Sequence, residues 1–150
     1  MREDISEGLK LALKARDQRR TATLRSINSA IKDRDIANRG DGKGPATNDE
    51  ILAMIQKMVK QREESFAIYA QAGRSDLATV EKEEIDILNE FLPKGLSDDE
   101  VAEAITAAIA ATGAEGPKDM GKVIAQLKAD YPGRIDFGKA SGLVRAALSA

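Results

Sequence analysis

An all-helical fold is what this sequence predicts, and three observations predict it. Ala, Leu, Ile, Lys, Arg and Glu dominate the 150 residues, and most of these are strong helix formers. No stretch alternates apolar and polar residues over a strand's length. Between the Gly- and Pro-containing breaks, apolar residues instead recur at spacings of three and four, the mark of an amphipathic helix. The expected architecture is an N-terminal helical bundle over residues 1–94 and a small C-terminal three-helix module over 95–150.

The first helix is expected from Arg2 to Arg16, with Ile5, Leu9 and Leu13 as its apolar face. Asp17 reads as the N-cap of a second helix reaching Arg39, whose stripe is Leu24, Ile27, Ala30 and Ile31. The segment GDGKGPA, 40–46, holds three Gly and a Pro, so an exposed, mobile connector is expected there. Its Gly spacing fits no phosphate-binding fingerprint. Thr47-x-x-Glu50 is a capping box that opens a third helix, each side chain satisfying a backbone N–H that the first turn leaves unpaired. Ile51, Met54, Ile55, Met58, Val59, Phe66 and Tyr69 form its core stripe, and Gly73 stops it. A fourth helix begins at Ser75 or Asp76 and buries Leu77, Val80, Ile85, Leu88, Phe91 and Leu92. Its charged run of Glu81, Lys82, Glu83, Glu84 and Asp86 reads as a solvated face.

Pro93-Lys94-Gly95 breaks the chain, and Ser97-Asp98-Asp99-Glu100 restarts capping chemistry, which places the module boundary there. An Ala-rich fifth helix, 98–112, ends at Gly113. Pro117 suits the first turn of a sixth helix, with Met120, Val123, Ile124 and Leu127 on its core face and Lys118 and Lys122 opposite. Asp136 caps a seventh helix with apolar Ala140, Leu143, Val144, Ala147 and Leu148. The corner before it spells two nucleotide signatures by accident. Gly133 to Lys139 has the spacing of a P-loop, and Asp136-Phe137-Gly138 matches a kinase tripeptide. A P-loop follows a β-strand and continues with Ser or Thr after its Lys; here a helix precedes the segment and residue 140 is Ala. The stretch reads as a helix–turn–helix corner.

Composition narrows the chemistry. There is no Cys and no His, so disulfides, thiolates, and the commonest general base and metal ligand are excluded. No nucleophile–base pair or metal-ligand cluster stands out, so no catalytic residue, metal or cofactor is expected. The N-terminal MREDISEGLKLALK has no continuous apolar core, so neither a signal peptide nor a membrane span is read there, and a cytoplasmic protein is expected. The net charge of −2 conceals a pattern. Residues 1–39 carry ten Lys/Arg against six Asp/Glu, and residues 47–95 carry six against ten. Residues 96–116 hold five acids and no base, whereas 117–150 hold six bases against three acids. Such segregation speaks to partners more than the near-neutral total does.

Several pieces, taken in order, resemble a known family. They are Thr23-Leu24-Arg25 with Ala30-Ile31; Ala72-Gly73-Arg74-Ser75-Asp76-Leu77; Phe91-Leu92-Pro93 with Leu96-Ser97-Asp98-Asp99-Glu100; Asp119-Met120-Gly121-Lys122-Val123; and Gly133-Arg134-x-Asp136. Each is weak alone, but together they span nearly the whole chain. They resemble the YqeY family, whose C-terminal part is shared with the tail of the B subunit of tRNA-dependent amidotransferase, the GatB/YqeY domain. The resemblance implies an all-helical, two-part fold and a tail of the kind that contacts tRNA. It does not carry catalysis across, because neither the kinase-like cradle nor an ammonia-producing site is present. Phe137 departs from the small polar residue expected in that turn.

Three functional readings follow. The first is a non-catalytic RNA-binding accessory protein that holds structured RNA, the body of a tRNA above all. Its candidate phosphate contacts are Lys118, Lys122, Lys128, Arg134, Lys139 and Arg145, with Lys139 helped by the seventh helix's N-terminus. Few aromatics argue against reading of single strands by base stacking. The second is association with a carbon–nitrogen ligase, the glutamyl/aspartyl-tRNA amidotransferase that uses glutamine as amido donor, or with other aminoacyl-tRNA machinery. The third is a protein–protein adaptor that docks a basic partner on the acidic fourth and fifth helices. On the first reading, reversing Lys122 and Arg134 to Glu weakens tRNA binding and leaves melting nearly unchanged, with Lys57 and Lys60 as the control pair.

Overall fold

A computed structural model describes residues 1–149, and among them every regular element is a helix. The chain divides into two compact units, Met1–Leu92 and a second that begins at Pro93. The first holds α1 (Arg2–Ala15), α2 (Gln18–Gly40), α3 (Asn48–Gln71) and α4 (Ser75–Asn89). The second holds α5 (Asp98–Thr112), a 3-10 turn (Pro117–Asp119), α6 (Met120–Asp130) and α7 (Phe137–Ser149).

In the first unit α1 packs on α2, and α4 packs on both α2 and α3. Ile5, Leu24, Ile27, Ile31, Ile51, Ile55 and Leu88 are the centre of its core. The first helix differs from expectation at one position: Ala12 is buried and Leu13 is 48% exposed. Helical rotation of about 100° per residue explains it. Seven residues beyond Ile5 the helix returns to within about 20° of the same face, but eight residues carry it about 80° past. Further along, Ile51, Ile55 and Val59 of α3 are buried, while Phe66 is at the surface, beyond the reach of the core cluster.

Caps follow the sequence closely. Asp17 accepts a hydrogen bond from the backbone N–H of Arg20, and Thr47 accepts one from that of Glu50. The box at Thr47 is only half closed, because the Glu50 carboxylate turns instead to the Asn38 side-chain amide at 3.0 Å. The box at Ser97 is complete: Ser97 and Glu100 each accept from the other's backbone N–H. Gly73 and Gly113 follow helix ends at φ of 70° and 65°, a backbone state that a Cβ disfavours.

Two surface expectations are corrected. The connector after α2 is anchored rather than free. Arg2 forms a two-pronged pair with Asp35, and this pair also grips Ala46, whose N–H donates to Asp35 and whose carbonyl accepts from Arg2. The charged face of α4 is not simply solvated: Arg62 pairs with Glu84 in a half-buried site, and Arg19 reaches Glu83. In the second unit, Val123, Leu127, Ile135, Ala140, Val144 and Leu148 meet Ala104, Ile105 and Ala108 of α5. Leu143 and Ala147 remain exposed, since three short helices cover a narrow seam at four-residue spacing and not the wider stripe. Pro117 opens the 3-10 turn, and α6 proper starts at Met120.

Candidate nucleic-acid interface

The six expected bases occupy three different settings. Lys118 and Lys122 are exposed and stand one turn apart on either side of Asp119. Asp119 is committed locally: its carboxylate accepts from the Glu115 backbone N–H at 3.0 Å, and Lys122 approaches to 3.8 Å. That backbone hydrogen bond, aided by the two lysines, lowers its pKa. Lys122 is thus the lysine with an ion pair to this carboxylate, and with Glu115 alongside, the two bases at this end of α6 face two acids.

Lys128 and Arg134 are instead held against aromatic rings. The Lys128 ammonium lies 5.5 Å from the centre of the Phe137 ring, and the Arg134 guanidinium lies 5.8 Å from that of Tyr131, both within cation–π range. Arg134 is tied further: its Nε donates to the Lys94 carbonyl at 3.0 Å, and its own carbonyl accepts from the Leu96 N–H. Its role in this corner is to hold residues 94–96 in place. The bond to Lys94 argues against the expectation that Arg134 can be reversed with melting nearly unchanged. Tyr131, Phe137 and the Lys94 carbonyl are partners that the pattern of bases alone does not reveal. A signal was present, because the whole chain has only five Phe and Tyr residues, and two flank this one corner.

Lys139 and Arg145 are exposed on opposite flanks of the buried Ala140–Val144–Leu148 seam. Six residues separate them, about 120° around the helix, so one flat surface on α7 does not take both. The proposed help from the start of α7 is corrected too. Asp136 Oδ1 already accepts from the N–H groups of Gly138 and Lys139, at 3.0 and 3.4 Å, so an acidic cap occupies the donors an anion would use. Gly133 turns the corner at φ 75°, with α6 before it and no strand among the described residues.

Among the described residues no cluster of Asp and Glu is arranged to hold a metal ion. Neither is any helix long and apolar enough to cross a membrane.

Comparison with known proteins places this geometry in context. The sequence matches the family described as Yqey-like protein over residues 2–148. It is similar to proteins named altered inheritance of mitochondria protein 41, mitochondrial. The relative from Clavispora lusitaniae is 39% identical over 101 residues, covering 65% of this chain and 56% of that protein. The relative from Eremothecium gossypii is 27% identical over 149 residues, covering 97% of this chain and 79% of that protein. A Saccharomyces cerevisiae relative is 32% identical over 84 residues, covering 56% of this chain and 44% of that protein. The chain thus spans about half the length of the first relatives it matches. These relatives, all named as mitochondrial, overturn the expectation of a cytoplasmic protein. Composition and the lack of an apolar run describe the residues themselves and do not report a compartment.

Proposed function

The chain belongs to the YqeY-like family, and from that premise we propose that it is a non-catalytic helical accessory protein whose C-terminal unit holds structured RNA, with the body of a tRNA as its ligand. One observation carries the reading. The apolar side chains of α5, α6 and α7 are largely consumed in one seam, and Lys118, Lys122, Lys139 and Arg145 are left outward. Exposed cations on short rigid helices suit a phosphate backbone, which is recognised by charge and position and not by base identity. The structure changes the weight given to each base. Lys118, Lys139 and Arg145 are exposed without an ion pair among the described residues, Lys122 is exposed with a loose 3.8 Å pair to Asp119, and Lys128 and Arg134 act first as supports of the α6–α7 corner.

Affinity for bulk tRNA at two salt concentrations, set against duplex DNA of similar length, tests the proposal. Tighter binding to tRNA, with an affinity that falls steeply with salt, is the expected outcome. Equal and weak binding to both ligands would defeat it, and capture of a basic protein partner through Asp98, Asp99 and Glu103 of α5 would replace it with an adaptor.

A further inference from the structure

Helix α2 sorts its bases by face. Arg19, Arg20 and Arg34 point toward neighbouring helices and are paired with Glu83, Glu90 and Glu50. Arg25 and Lys32 have no acidic partner among the described residues. With Arg39, they recur every seven residues on the opposite side, and all three are exposed. The same solvent face includes Gln18, Ala22, Ser29 and Ile36, so its steps alternate four and three along the full helix. A seven-residue step drifts by only about 20° around a helix and advances about 10 Å. The result is a ridge of three cations, one every second turn over about 21 Å, with a single exposed acid, Asp33, at its edge beside Lys32. Arg16 adds a fourth exposed cation at the α1–α2 corner, beside Arg25 in one open groove that includes Leu13 and Ala22.

We infer that this ridge is a second polyanion surface, which docks along the sugar–phosphate backbone of double-helical RNA. The residues between the cations decide among polyanions. An acidic partner helix needs an apolar seam, and a lipid surface needs side chains to insert. Here the intervening positions are Ala22, Ser29 and Ile36, of which only Ile36 is large. Small residues let a phosphate chain approach closely, and Gln18 and Ser29 supply neutral donors of the kind that accompany Lys and Arg on phosphates. The ridge lies in the N-terminal unit and does not rest on the assignment of the C-terminal bases.

The test uses the full chain and an RNA duplex of about 20 base pairs, with Arg25→Glu/Lys32→Glu as the variant. Arg39 is left alone because its charge also acts on Asp35. Lys57→Glu/Lys60→Glu, two exposed lysines on α3, makes the same change in net charge elsewhere on the unit. The ridge variant loses about tenfold or more in affinity near 0.1 M salt, and its log K against log salt slope flattens by about 1.5 to 2. The α3 variant changes less than about threefold under the same conditions. Arg25→Gln/Lys32→Gln, which adds no new charge, shows a smaller loss in the same direction, and melting temperatures match the parent. If Lys118→Glu/Lys122→Glu binds like the parent while the ridge variant does not, the ridge stands and the C-terminal reading fails. Equal losses in the ridge and α3 variants overturn the inference. So does parent-like duplex binding by the ridge variants, or a loss seen only with anionic phospholipid vesicles or poly-glutamate.

Discussion

Asp35 shows how one carboxylate ties distant parts of the first unit together. Hydrogen bonds from the Arg2 guanidinium and the Ala46 N–H favour its ionised form and lower its pKa from 3.8 to about 2. A depressed carboxylate pKa contributes stability that is present above the unfolded value and lost as pH falls toward the folded one. The anchored connector is therefore expected to loosen between about pH 4 and pH 2. Asp35→Asn should reproduce that loosening at neutral pH, read as faster amide exchange at residues 43–47 and a lower Tm. Unchanged exchange in the variant would show that Ala46 is held by something else. Arg134 makes the matching case in the second unit. Arg134→Lys keeps the charge but not the Nε donor to Lys94, and Arg134→Glu removes both charge and donor. Both variants should lower Tm, with a loss of about 1–3 kcal/mol in unfolding free energy where a hydrogen bond to a charged group is lost, and a parent-like melt of Arg134→Glu would return this residue to the list of free surface bases.

At the scale of elements, helices were legible because their caps are chemical. Asp17, Thr47, Ser97 and Asp136 each stand where a side-chain oxygen meets the first turn. Which apolar residue a helix buries was less legible, because that depends on neighbours a linear pattern does not name. Leu9 and Leu13 both obey one-turn spacing from Ile5, yet only Leu9 packs against the core, and Ala12 takes the buried place expected of Leu13. A small residue at a helix crossing has no hydrophobic signal of its own. The two positions should accordingly respond in opposite ways to substitution. Ala12→Leu overfills the contact and is expected to cost about 1–3 kcal/mol, whereas Leu13→Ser at an exposed site should stay within about 0.5 kcal/mol. Denaturant melts of the two variants decide between them, and the reverse order would restore Leu13 to the core. Leu143 and Phe66 failed to be read for the same reason: amphipathic periodicity marks a face, not the width of that face which a neighbour covers.

For the whole molecule, each unit has its own apolar core, and charge rather than cavity chemistry distinguishes the two surfaces proposed to carry function. The candidate site was only partly legible in the sequence. The list of bases could be read directly, but their commitments could not, because the Lys128–Phe137 contact and the Arg134 bond to Lys94 depend on how the chain turns between elements, and the Arg134–Tyr131 contact depends on the corner's own geometry. The most direct trial of the central claim is tRNA binding by Lys118→Glu/Lys122→Glu/Lys139→Glu, titrated across salt beside the parent chain. These side chains are exposed, so helicity and Tm should be preserved. Affinity is expected to fall by at least tenfold, and the salt slope to flatten by about 0.7–0.9 for each phosphate contact removed. A well-folded triple variant that binds tRNA with the affinity and salt slope of the parent would contradict the account.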